Sequence, residues 1–160
     1  MMITVEQVDY NNTQQCAVLI YLLDNYAQDP MGGAEPLSDF AKQNLTCELQ
    51  KLPTAFSLIA YVNEQPAGLI NAIMGFSTFK CQPLINIHDL AVIKTYRGQG
   101  ISQALLSKLE ELAVNKGCCK ITLEVLQGNI VAQSAYQKFG FTGYQLDPNM
   151  GKAMLWQKFI

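Results

Sequence analysis

The sequence predicts a mixed α/β fold, a mixed sheet with helices on both faces, and three observations carry the prediction. The hydrophobic period switches repeatedly between that of a strand and that of a helix. The switches coincide with glycine or proline. Nearly half of the 160 residues are hydrophobic and 15% are charged, enough apolar surface for one packed core without disulfides or a structural metal.

Taken in order, residues 2–8 alternate as a strand, and Asn11 to Ala27 carries Cys16, Leu19, Ile20, Leu23 and Ala27 at helical spacing. Gln28 to Leu37 contains Asp29-Pro30-Met31-Gly32-Gly33 and Pro36, which read as a loop. Ser38 caps a second helix running to about Lys51, with Phe40, Leu45 and Leu49 on its buried side. Phe56 to Val62 and Ala67 to about Phe79 form a hairpin around Asn63-Glu64-Gln65-Pro66. Leu84 to Ile93 is a further strand. Ile101, Leu105, Leu109, Leu112 and Ala113 mark a helix that Gly117 stops. Cys119 to Leu126 returns to strand, Asn129 to Phe139 to helix with Gly140 as terminator, and Phe141 to Leu146 and Ala153 to Ile160 are expected as closing strands. No repeat or linker interrupts the pattern, so residues 1–160 are expected to form a single domain.

A net charge of −2 gives no general attraction to nucleic acid or to anionic membranes, and neither is expected as a partner. Any anion must be held locally. Arg97 is the only arginine and His88 the only histidine. Cys16, Cys47, Cys81, Cys118 and Cys119 are odd in number and lack paired spacing or a histidine cluster, so they predict reduced, mostly buried thiols and no metal site. With no export signal or spanning segment evident, the expected location is cytoplasmic.

The segment Arg97-Gly98-Gln99-Gly100-Ile101-Ser102 joins a strand to a helix. A helix N-terminus presents amides without intrahelical partners and a partial positive charge, and glycine lets a phosphate approach the backbone. Arg97 adds a cation at the mouth. A P-loop would need Gly-Lys-Ser/Thr, and a dinucleotide fingerprint would need a third glycine where Gln103 stands. The loop is a phosphate site of another kind.

This loop resembles the pyrophosphate loop of the GCN5-related N-acetyltransferase superfamily, Gln/Arg-x-x-Gly-x-Gly/Ala, here Arg97-x-x-Gly100-x-Ser102 with Ser102 departing from the pattern. Leu123-Glu124-Val125, Asn129, Ala132, Tyr136 and Gly140-Phe141 resemble the strand-helix block that follows in these enzymes. The resemblance spans Asn86 to Phe141. It implies a mostly antiparallel sheet that splays between two parallel strands, with acetyl-CoA as acyl donor. The loop Arg97 to Ser102 would hold its pyrophosphate, the backbone of Leu90, Ala91 and Val92 its pantetheine arm, Leu90 polarising the acetyl carbonyl, and Asn129 the arm's other side.

Attack on a thioester needs a neutral amine, whereas an alkylamine with a pKa of about 10 is largely protonated at neutral pH. The resemblance makes Tyr136 the proton donor to the departing sulfur, at a position it shares with cofactor binding. Three candidates stand for the base: Glu124, spaced from Tyr136 as in ribosomal-protein alanine acetyltransferases, and His88 and Asp89, which match an acidic pair in polyamine acetyltransferases. A water chain among them is a fourth. Cys118-Cys119 opens a strand without an adjacent histidine and is not expected to act as a nucleophile.

Asp29 and Glu35, in the loop after the first helix, are candidates to hold a cationic acceptor, a small amine or a peptide terminus, and Phe76 to Phe79 a candidate apolar wall. The rival expectation is a CoA-binding sensor or scaffold without transfer. The apolar C-terminal strand Met154 to Ile160 either completes its own sheet or pairs across a homodimer as an exposed edge.

Overall fold

A computed structural model describes all residues from Met1 to Ile160. It divides into two compact units, Met1–Leu123 and Glu124–Ile160. The first holds β1 (Ile3–Gln7), α1 (Thr13–Ala27), α2 (Asp39–Gln50), β2 (Ala55–Val62), β3 (Gln65–Ser77), β4 (Gln82–Val92), a 3-10 turn (Lys94–Tyr96), α3 (Ile101–Asn115) and β5 (Ile121–Leu123). The second holds α4 (Ile130–Phe139).

Local chemistry explains the boundaries. Asn12 caps α1 by accepting hydrogen bonds from the amides of Gln14 and Gln15, and the Ser38 hydroxyl caps α2 at the Ala41 amide. The hairpin β2–β3 turns on Asn63 and Glu64, both at positive φ, and Asn63 suits that conformation. Gly140, at φ 110°, ends α4, and the Phe141 amide reaches back to the Tyr136 carbonyl at 3.0 Å.

The sheet order is β1-β2-β3-β4-β5, antiparallel throughout except for the parallel pair β4–β5. That pair spans only Ile85–Ile121, Asn86–Thr122 and Ile87–Leu123, while β4 continues to Val92. The two parallel strands therefore part after Ile87, as the resemblance implied. Alternation along β2 and β3 divides the core between the two faces. Ile59 and Leu69 pack with Leu19, Leu22 and Leu23 of α1. Gly68 turns the other way, where a Cβ would stand 3.3 Å from Leu105 and 3.4 Å from Ile101 of α3. Helices thus cover both faces of the sheet.

Four expectations need correction. The closing strands at 141–146 and 153–160 are absent, apart from one bridge between Gln145 and Lys152. The second unit has no strand edge of its own for them to join, and Leu155, Trp156 and Phe159 remain exposed. β5 is three residues long rather than eight, so Glu124 lies outside it. Phe40 is exposed, whereas Leu45 and Leu49 on the same helix pack against the core. All five cysteines are free but none is buried, and Cys47 and Cys81 are exposed. No helix is long and apolar enough to cross a membrane.

Candidate functional site

The first unit carries most of the predicted residues on β4 and the loop that follows it. Along β4 the ladder bonds alternate. Ile93 donates its amide to Ala67 of β3 at 2.8 Å, and Ala91 faces β3 opposite Leu69. Leu90 and Val92 therefore direct their amides and carbonyls away from β3, toward the edge that β5 has left. The predicted trio divides accordingly: Leu90 offers its main-chain groups at the open edge, Val92 offers its amide there while its carbonyl accepts from Arg97, and Ala91 belongs to the ladder.

Beyond this edge, Gly98 (φ 77°) and Gly100 (φ 85°) adopt left-handed conformations, and a Cβ on either would meet nothing within 4 Å. Gly100 caps the fifteen-residue α3 without any side-chain hydrogen bond. The main chain at the mouth of α3 is thus bare of side chains, a geometry that fits a phosphate group. Ile101 is buried and anchors the helix end, and Ser102 is half-buried beside it. The Gln99 side chain folds back to the Thr95 carbonyl at 3.0 Å, so this residue contributes through its backbone.

Arg97 is already engaged. Its Nε donates to the Val92 carbonyl at 3.0 Å, and Nη2 to Asp29 Oδ2 at 2.8 Å. Asp29 Oδ1 accepts from the Met31 amide at 2.9 Å. The Arg97 guanidinium, and after it the Met31 amide, hold the Asp29 carboxyl below the usual carboxylate range. Both Asp29 oxygens are committed to protein groups, and the residue serves as a strut between the α1–α2 loop and the anion loop. Glu35, in the same loop, is exposed. Gly32 is required there by close approach, since a Cβ would stand 2.0 Å from the Tyr26 carbonyl oxygen.

His88 and Asp89 meet in a cleft of about 120 Å³, lined otherwise by Leu23, Leu45, Leu49, Phe56, Asn71, Ala72 and Ile73. This is the face covered by α1 and α2. The cleft arises at a bulge: Asn71 opposes Asp89 and Ala72 opposes Ile87, which leaves His88 as the extra residue on β4. Asn71 Nδ2 donates to Asp89 Oδ2 at 3.0 Å. Asp89 also lies close enough to Tyr26 for its charge to help raise the phenol pKa, after the larger effect of burial.

In the second unit, Asn129 caps α4 by accepting from the Ala132 amide at 3.1 Å. Tyr136 is half-buried on that helix, its ring edge-on to Phe141 with centroids 5.9 Å apart. Glu124 is exposed at the start of this unit.

The sequence model of the Acetyltransferase (GNAT) family matches residues 20–141 of the chain. The chain belongs to this family. The match takes in the open edge of β4, the anion loop and α4 together. Among related GNAT sequences, the thialysine N-epsilon-acetyltransferase of Mus musculus is 39% identical over 56 residues, 35% of this chain and 33% of that protein. The thialysine N-epsilon-acetyltransferase of Caenorhabditis elegans is 31% identical over 101 residues, 63% of this chain and 59% of that protein. The aligned portions thus reach 33% to 59% of the length of these relatives. Among solved structures, AAC(6')-Iy bound to the bisubstrate analogue CoA-S-monomethyl-acetylneamine superposes with a TM-score of 0.78 over 100% of both chains at 16% identity. An aminoglycoside acetyltransferase from an uncultured soil metagenomic sample gives 0.70 at 24% identity, over 92% of this chain and 96% of that one. At such identities these structures establish that the GNAT fold is shared.

Two residues that the sequence reading passed over stand beside the site: Asn71 and Ser57. Each is a lone polar side chain in an otherwise apolar strand, in Leu69-Ile70-Asn71-Ala72-Ile73 and Phe56-Ser57-Leu58-Ile59, and that interruption was the available signal.

Proposed function

We propose that this chain transfers an acetyl group from acetyl-CoA to the primary amine of a small molecule or peptide, by direct attack in a ternary complex. The observation that carries the reading is the open edge of β4, where Leu90 directs its main-chain groups away from β3 and the chain continues into two left-handed glycines at the mouth of α3. When bound, acetyl-CoA would supply the thioester carbon that the amine attacks and the thiolate that leaves. Gly98 to Ser102 would hold its pyrophosphate through main-chain amides, and Leu90 would present the amide that stabilises charge on a carbonyl oxygen.

Asp89 and His88 serve the acceptor. An ammonium group entering the cleft finds a carboxylate to hold it and two groups able to take its proton, while Leu23, Leu45, Leu49 and Phe56 enclose its stem. A cleft of about 120 Å³ has the volume of roughly four waters. It suits an unbranched aminoalkyl arm, and the names of the sequence relatives, lysine-analogue acetyltransferases, lie in the same chemical range. Tyr136 is proposed as proton donor to the departing sulfur and Asn129 as a second contact for the arm, on the strength of their motif positions. Glu124 remains a third candidate base on the same ground. A cytoplasmic location accompanies this reading.

The test is thiol release from acetyl-CoA with a panel of alkyl diamines, lysine analogues, aminoglycosides and N-terminal peptides. Turnover of a short-armed primary amine supports the reading. Coenzyme A binding with no acceptor turned over would instead make the chain a CoA-binding sensor or scaffold.

A further inference from the structure

Ser57 and Asn71 are the only polar side chains buried in the core, at 0% and 7% exposure. Burying two polar groups among leucines and isoleucines costs stability unless each is satisfied. Here they satisfy one another in a chain that crosses the sheet. The Tyr10 hydroxyl lies 2.8 Å from Ser57 Oγ, Ser57 Oγ bonds Asn71 Oδ1, and Asn71 Nδ2 bonds Asp89 Oδ2 at 3.0 Å. Four elements contribute in turn: the β1–α1 loop, β2, β3 and β4.

The direction of this chain follows from its chemistry. An amide oxygen can only accept, so Ser57 donates its single proton to Asn71. Ser57 Oγ must then accept from Tyr10, whose phenol is kept protonated because burial raises its pKa. The Asn71 oxygen being committed to Ser57, its NH₂ group faces Asp89. A flipped amide would set its oxygen against the carboxylate and its NH₂ against a hydroxyl that is already receiving a proton. Every donor in the chain therefore points toward Asp89. The primary amide has no proton to relay at neutral pH, so the chain orients and does not conduct.

Resting on the transferase reading above, we propose that Asn71 is the positioning residue for the acceptor site: keyed by Ser57 and Tyr10, it fixes Asp89 Oδ2 so that Oδ1 meets the ammonium. The proton passes from the amine nitrogen to this carboxylate as the N–H bond breaks and an O–H bond forms, leaving the nitrogen lone pair free. The groups around Asp89 leave it this role. α1 brings Leu23 and the neutral phenol of Tyr26, α2 brings Leu45 and Leu49, β2 brings Phe56, and β4 itself brings His88. No lysine or arginine is among them.

The experiment combines pH–rate profiles with side-chain amide NMR on the whole chain. Asn71→Asp is nearly isosteric but replaces the donor by a second carboxyl, so the acid limb of kcat/KM for the amine should rise by about one pH unit or more. The KM for acetyl-CoA should stay unchanged. Ser57→Ala frees the amide to flip without touching Asp89, and should lower kcat about threefold or more, with a smaller loss in Tyr10→Phe. The Asn71 NH₂ resonances should titrate in the wild type and cease to do so in Asp89→Asn. If Asn71→Asp melts too low to assay, Ser57→Ala and the titration decide. An unmoved acid limb, full turnover in Asp89→Asn, or NH₂ resonances indifferent to Asp89 would overturn the proposal. Were the wild type to titrate as expected yet acetylate no amine, the transferase reading would fall while the orienting contact stood.

Discussion

Replacing Gly100 by alanine separates the anion loop's role in binding from its role in folding. At φ 85° and ψ 4° the residue is left-handed, and an added Cβ would meet nothing within 4 Å. No clash contributes, so the cost is the left-handed penalty of about 1–2 kcal/mol, partly offset by roughly 0.4–1 kcal/mol of lost freedom in the unfolded chain. The net is on the order of 1 kcal/mol, or about 2–4 °C in Tm for a chain of this size. Gly117 supplies the control at the other end of α3: φ is 68°, and its Cβ would likewise meet nothing within 4 Å. Gly117→Ala should lower Tm by a similar amount and leave coenzyme A affinity intact. Gly100→Ala places a methyl group where a diphosphate would approach, and should weaken coenzyme A about tenfold or more by calorimetry, a loss of about 1.4 kcal/mol. Equal affinity in the two variants would refute the main-chain phosphate site.

Two further outcomes test the residues around that loop. Asp29 has a folded-state pKa below its unfolded value, so its contribution is present above about pH 4 and is lost as pH falls through the lower folded value. Arg97 is 47% exposed, which screens the pair to about 0.5–1 kcal/mol. Asp29→Asn should therefore melt about 1–4 °C below wild type at pH 7, with the gap narrowing as pH falls below about 4, as read by thermal scans, and a gap of constant size would contradict the ion pair. Tyr136→Phe should lower kcat about tenfold or more while leaving the dissociation constant of coenzyme A nearly unchanged, and undiminished single-turnover rates would remove Tyr136 as the acid.

What the sequence made legible was local. The glycine turn that opens α3 could be read because glycine spacing, a change of hydrophobic period and a helix N-terminus fall within a few residues of one another. The caps Ser38 and Gly140 were equally readable, since a cap is decided by the turn it opens or closes. The Asn71–Asp89 contact was not, because it depends on register across two strands and on one extra residue, His88, at the bulge. Without that residue Asp89 would pair one place along, and the side chains facing α1 and α2 would change. The closing strands failed for the complementary reason: alternation permits a strand but does not supply an edge to pair with.

The contact between Arg97 and Asp29 changes what the only arginine does for the loop. A guanidinium committed to the Val92 carbonyl and to a carboxylate contributes little net charge to an incoming diphosphate. On the proposed reading, recognition would then fall to main-chain amides, which do not titrate, and to the geometry of Gly98 and Gly100. The same side chain ties the end of β4 to the loop after α1. The glycine turn before α3 and the loop after α1 are thereby held in register by a single residue. Lysine in its place would retain the charge but not the planar fork that reaches both partners at once.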